Sequence, residues 1–434
     1  MEQSRAPVLL GWLRSRRQQE IVALLESLVL AESPSTDAGA QQHPFAILAD
    51  RFARLGYVVR RVPGAGAGDH LYARPRTRPR GVPFQLVLGH MDTVWPVGTL
   101  EEMPLRREGD HLFGPGAYDM KAGLVQLVFA LEALETFGLS PSVTPVVVVN
   151  TDEEVGSASS EPLIRALARS AERAFVLECG EGTDGRLKIA RKGAGSFRIT
   201  VRGRAAHAGT SFEQGVSAIL ELSHQIQRLF ALNDPIRGVT VNVGAVDGGL
   251  QPNVVAPEAS AEVGIRVPTV AAAVEVERAI RSLDPVLKGS VLEVVGGISR
   301  PPMEPTQPNR GLLAAAQRLG RELGLTLEGA GLVGGASDAN TTSRYTATLD
   351  GLGPVGEGAH APDERVSVSS IAERAALLAL LLLEPANRRS LSQAEADYAN
   401  RWPRPTVGSS VDPEFSDLND RRPAPAGRIG RKEA

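Results

Sequence analysis

Cysteine occurs only once in this chain of 434 residues, at Cys179, so no intrachain disulfide can form and a reducing compartment is expected. Long apolar runs are missing too. The longest, Ala375 to Leu383, falls far short of the roughly 18 residues that suggest a membrane span. Met1 to Trp12 has no basic start, extended apolar stretch or small-residue cleavage site, so no signal peptide is expected and the cytoplasm is the default location. There is no basic excess: the net charge of −3 argues against general nucleic-acid binding. No internal repeat is visible. Hydrophobic content of 42% and charged content of 22% are those of an ordinary soluble protein, and the length allows more than one domain.

What the chain does have is a set of short segments rich in histidine and carboxylates. They are Gly89-His90-Met91-Asp92, Ala117-Tyr118-Asp119-Met120-Lys121, Thr151-Asp152-Glu153-Glu154-Val155-Gly156, Leu177-Glu178-Cys179 and Gly356-Glu357-Gly358-Ala359-His360. Imidazole and carboxylate are ligands suited to zinc and similar divalent ions. Three segments follow β-branched, apolar runs: Leu86-Val87-Leu88, Val146 to Val149 and Ala174 to Leu177. In open α/β sheets ligands bind beyond the carboxyl ends of the strands, so His90, Glu153-Glu154 and Glu178 are expected on one edge.

The order of periodicities gives the fold class. Ile21, Leu24, Leu25 and Leu28 follow helical spacing, and a second helix is expected around Phe45 to Leu55, then a strand at Tyr57-Val58-Val59. Gly64 to Gly81, dense in Gly, Arg and Pro, reads as a loop or ragged hairpin. Alternating strands and helices to Leu177 predict an α/β fold whose sheet is mostly parallel. After Gly193 the pattern becomes β-α-β-β-α-β, a ferredoxin-like α+β arrangement inserted into the first domain. The expected organisation is a catalytic domain over 1–193 and 305–402, an inserted domain over 194–304 and a disordered tail over 403–434.

One metal held by His, Glu and a shared Asp, and a second held by His, Glu and the same Asp, would stand about 3.5–4 Å apart. In the adjacent pair Glu153-Glu154, one carboxylate can bind metal while the other faces the attacking water. Asp92, two residues after His90, is placed to accept a hydrogen bond from the ring nitrogen that does not bind metal.

In these segments, and in Gly203-Arg204-Ala205-Ala206-His207-Ala208-Gly209 and Gly334-Gly335-Ala336-Ser337-Asp338, the chain resembles the aminoacylase/carboxypeptidase G group of di-zinc metallopeptidases over roughly residues 10 to 385. The resemblance implies that His90 and Glu178 hold one zinc, that Glu154 and His360 hold the other, and that Asp119 bridges them. Cobalt or manganese could replace zinc. Glu153 would be the general base. The peptide bond after the bridging aspartate is typically cis in this group. Its members form homodimers through the inserted lid domain, and a histidine matching His207 reaches the partner's active site to stabilise the oxyanion. Ala122 departs from the glycine that many relatives carry, leaving the ligand set intact.

The resemblance also bears on substrate. Glutamate at position 178 is similar to the carboxypeptidase and deacylase branches. Arg266 matches an arginine that clamps the substrate's α-carboxylate, and Asn253 matches a substrate contact on the lid. Arg186 and Arg300 fall near positions where glutamate-releasing carboxypeptidases carry basic residues, and Arg191-Lys192 adds positive charge at Gly193, the expected hinge between the two domains. The expected activity is release of a C-terminal amino acid, glutamate-like, from a small peptide or N-acyl amino acid, without membrane or nucleic-acid partners. An N-acyl amino acid deacylase or dipeptidase is the alternative within that chemistry. A non-catalytic dimeric binding protein and a phosphate-ester hydrolase are the rivals from other classes.

Overall fold

The computed structural model describes residues 5–78 and 82–386, so the tail expected over 403–434 lies outside the described residues. At the centre, strand Phe84–His90 runs parallel to Thr144–Asn150 on one side and to Arg173–Val176 on the other. Strand Ala347–Leu349 adds a further parallel partner beside Arg173–Val176. Side chains alternate across these strands. Val87, Val147, Val149 and Phe175 join one apolar cluster with the helices Ala122–Thr136 and Val368–Leu383. Their neighbours Leu86, Leu88, Val146, Val148 and Ala174 join another with Leu163, Ile164 and Leu167 of helix Glu161–Ala168. Burial on both faces explains why these strands are nearly continuous runs of valine and leucine.

The sheet is nevertheless mixed, which corrects the expectation of a mostly parallel one. Strand His70–Pro75 lies between Tyr57–Val62 and Thr144–Asn150 and is antiparallel to both. It falls in the stretch read as loop or ragged hairpin. Flanking glycines, prolines and arginines obscure a core of four buried residues, His70 to Ala73.

Residues 193–300 form a second sheet whose strands pair only with one another. Strands Gly193–Arg202, Thr240–Gly248, Glu258–Val267 and Val291–Arg300 are all antiparallel, in the order fourth, first, third, second. Helices Ala218–Phe230 and Val270–Arg281 pack on it around a separate core that includes Phe197, Ile199 and Ile265. Both helices start on a hydroxyl cap: Ser217 accepts from the Leu220 amide and Thr269 from the Ala272 amide. The two connecting segments run side by side, with the backbones of Arg191 and Met303 exchanging hydrogen bonds of 3.0 Å each. A Cβ on Gly193 would sit 2.7 Å from the Pro302 ring, so this approach requires glycine.

A small antiparallel sheet flanks the remaining candidate residues, Asp119 and His360. It pairs Arg106–Glu108, His111–Phe113, Arg365–Ser367 and Gly356–Glu357, bringing the loop with His360 alongside the turn with Asp119. Among the described residues no helix is long and apolar enough to cross a membrane.

Candidate metal centre and active site

His90 is the last residue of its strand, the pair Glu153-Glu154 follows Thr144–Asn150, and Glu178 follows Arg173–Val176. Since these three strands are parallel, all of those side chains emerge at one edge. Two groups of potential ligands form there and share one member. His90, Asp119 and Glu178 each offer a donor atom within 4.8 Å of the others, and so do Asp119, Glu154 and His360. His90 Nε2 stands 3.4 Å from Asp119 Oδ1 and 3.6 Å from Glu178 Oε1. His360 Nε2 lies 3.2 Å from Glu154 Oε2 and 3.6 Å from Asp119 Oδ2. The Asp119–Met120 peptide bond is cis.

The donor set fits a pair of divalent cations. Asp119 Oδ1 is buried and has no hydrogen-bond partner. Three carboxylates, Asp119, Glu154 and Glu178, converge with two imidazoles among them, an arrangement that like-charge repulsion disfavours unless positive charge sits between them. Burial pushes the Glu153 and Glu154 carboxyls above their usual range. Burial alone would also raise Asp119, but the neighbouring His90 and His360 hold it below.

The His90 ring is held from behind. His90 Nδ1 donates to the Asp92 backbone carbonyl at 2.9 Å, which turns Nε2 toward Asp119 and Glu178. The Asp92 carboxylate, expected to take that bond, stands farther away, with Oδ1 at 3.5 Å. It accepts instead from the Ser35 hydroxyl (2.7 Å) and from the amides of Glu153 (3.3 Å) and Glu154 (3.1 Å). Asp92 thus fixes the backbone that presents both glutamates.

Arg300 differs from its expected role as a substrate contact. Its guanidinium is buried behind Glu153, with Nη1 3.0 Å from Glu153 Oε1 and 3.4 Å from Asp338 Oδ1. Nη2 donates to the Glu153 carbonyl (2.9 Å) and Ser157 Oγ (2.8 Å). Arg186, also expected at the substrate, pairs with Asp184 at 3.1 Å and is not part of the cleft wall. The cleft beside the ligands has a volume of about 490 Å³, and its basic side chains are Lys188 and Arg191. His207, Asn253 and Arg266 are exposed on the second sheet unit and do not line this cleft. His207 Nδ1 accepts from the Gly209 and Thr210 amides.

Glu364 was not among the residues singled out in the sequence. It is 1% exposed, and its carboxylate accepts from the amides of Gly116 (2.9 Å), Tyr118 (2.9 Å) and Asp119 (3.0 Å) and from the Trp95 indole (3.0 Å). The turn that presents Asp119 is therefore built on Glu364, four residues beyond His360. No residue-type pattern signals a carboxylate three of whose four donors are backbone amides. Glu364→Gln would set an NH2 group against one of these donors. The expected result is a loss of metal affinity of about 10- to 100-fold, measured by chelator competition.

The profile of peptidase family M20/M25/M40 matches residues 86–384. Carboxypeptidase G2 of Pseudomonas sp. (strain RS-16) is 28% identical over 380 residues, covering 85% of this chain and 89% of that protein. Succinyl-diaminopimelate desuccinylase of Paracidovorax citrulli is 27% identical over 378 residues, covering 80% and 94%. Among solved structures, an M20 family metallo-carboxypeptidase from Sulfolobus solfataricus superposes with a TM-score of 0.65 at 16% identity, covering 84% of this chain and 100% of that one. Likeness at that identity speaks for the fold alone.

Proposed function

Since the chain belongs to peptidase family M20/M25/M40, we propose that this metallopeptidase hydrolyses an amide whose departing amino acid keeps a free α-carboxylate, with glutamate the favoured leaving residue. The observation that carries this reading is the convergence of two ligand triads on one shared aspartate, with Glu153 beside them. In the proposed arrangement His90 and Glu178 would hold one zinc and Glu154 and His360 the other, with Asp119 shared by both groups. Bound there, the two ions would acidify a water and polarise the scissile carbonyl.

The chain's own groups do the rest. Glu153 Oε1 is held by Arg300, which leaves Oε2 to take a proton from the attacking water and return it to the leaving nitrogen. Asp92 fixes the direction in which Glu153 and Glu154 enter the cleft. Residues 194–304 serve as a lid that carries Arg266 and Asn253 to the substrate's α-carboxylate. A second copy of the chain, docked through this unit, supplies His207 to the oxyanion. Support for that dimer comes from exposed apolar side chains on the unit: Val246 at 60% and Leu250 at 72% by the edge strand, and Ile219 and Leu220 at 49% each on the adjoining helix.

The test is a panel of N-acyl amino acids and dipeptides with varied C-terminal residues, assayed after loading with zinc, cobalt or manganese. Cleavage that requires the free α-carboxylate and is fastest for C-terminal glutamate is expected. Faster turnover of simple N-acyl amino acids or of dipeptides, without preference for glutamate, would point to a deacylase or dipeptidase instead. Absence of cleavage across the panel would overturn the reading.

A further inference from the structure

We propose that Lys188 and Arg191 form a subsite for a second carboxylate of the substrate, distinct from the α-carboxylate; the inference rests on the amidohydrolase reading above. Both side chains line the metal cleft, and both residues are buried, at 6% and 4% exposure. Arg191 spends two edges of its guanidinium on the protein: Nε donates to Asp350 Oδ2 at 2.5 Å and Nη1 to the Gly335 carbonyl at 3.1 Å. The third does not bond. Nη2 has no hydrogen-bond partner, and its nearest ion-pair oxygen, Glu178 Oε2, is 3.9 Å away. A buried cationic donor without an acceptor is costly, and a carboxylate entering the cleft relieves that cost.

Lys188 offers its charge on the same wall. Its ammonium has one ion pair, with Glu181 at 3.6 Å, beyond good hydrogen-bonding distance. The Glu181 side chain is 42% exposed, so a substrate carboxylate can displace it at little loss. The backbone carrying both cations is pinned in advance. Lys188 exchanges hydrogen bonds with Asp350 (2.8 and 3.0 Å), and Leu187 donates to the Glu328 carbonyl and accepts from the Ala330 amide. Cations fixed before binding give discrimination rather than general attraction.

The second carboxylate could belong to the leaving amino acid or to the acyl part, and paired substrates separate the two. N-benzoyl-glutamate is compared with N-benzoyl-glutamine, and N-succinyl-alanine with N-succinamoyl-alanine, each pair differing by one charge. In the wild type, kcat/KM is expected to favour the acid in at least one pair. Lys188→Met should reduce that acid-to-amide ratio by about 10- to 100-fold. Arg191→Lys, which keeps a cation beside Asp350 while shortening the fork, should reduce it in the same pair. A direct readout uses the metal-loaded protein: glutarate should raise the melting temperature more than butyrate does, and the difference should vanish in Lys188→Met. No acid preference in either pair, or a preference and a glutarate shift that survive in both variants, would overturn the subsite. If no amide is cleaved, the amidohydrolase reading fails, whereas the glutarate comparison still decides whether the subsite exists.

Discussion

Glu153→Gln is expected to lower kcat by about 10²- to 10⁴-fold, the range that a positioned proton-transfer group contributes. The amide keeps the size of the glutamate and still offers Oε1 to Arg300, so the buried contact 3.0 Å long should persist. None of the five proposed ligands is altered, so bound metal should stay close to that of the wild type. Paired measurements of kcat and metal stoichiometry give the decision. A variant with kcat within tenfold of the wild type would remove Glu153 from the role of base. A variant that loses metal would show that Glu153 belongs to the ligand set.

The second large effect concerns Arg300. Arg300→Met is expected to destabilise the fold by about 3–5 kcal/mol, because removal of one partner leaves buried carboxylates without their cation. Two are affected, Glu153 and Asp338, and burial already pushes both above the usual carboxylate range in spite of the arginine. Denaturant unfolding of the metal-loaded protein measures the change. A role in binding substrate makes the opposite prediction, with KM rising while the unfolding midpoint is unaltered, and that outcome would restore the expectation drawn from the sequence.

The difference over Arg300 shows what can be read from sequence and what cannot. Positions following an apolar, β-branched run stand out because strand and loop differ in composition, and for parallel strands this fixes the edge at which the side chains emerge. His90, Glu153-Glu154 and Glu178 were legible for that reason. Asp119 and His360 have no such strand run and were recognisable only through their motif. Whether a basic side chain near the site faces substrate or protein depends on the partners that tertiary folding supplies. Arg300 meets Asp338 and Glu153, Arg186 turns to Asp184, and Lys188 and Arg191 are left on the cleft wall. Strand His70–Pro75 was hidden because its neighbours in sequence are turn formers, and its pairing with Thr144–Asn150 spans some seventy residues of chain. Glu364 was invisible since amides carry no residue identity.

Most of the proposed ligands stand at or just beyond the ends of strands locked in register, whereas much of the surrounding wall comes from connecting segments, among them 180–183, 335–336 and 358–359. These two parts can change independently. Exchange of a wall residue alters which molecules fit and leaves the spacing of the proposed ligands untouched, so new preferences can arise by point substitution without rebuilding the reactive centre. For an engineer, the wall is the place to randomise and the sheet the place to leave alone.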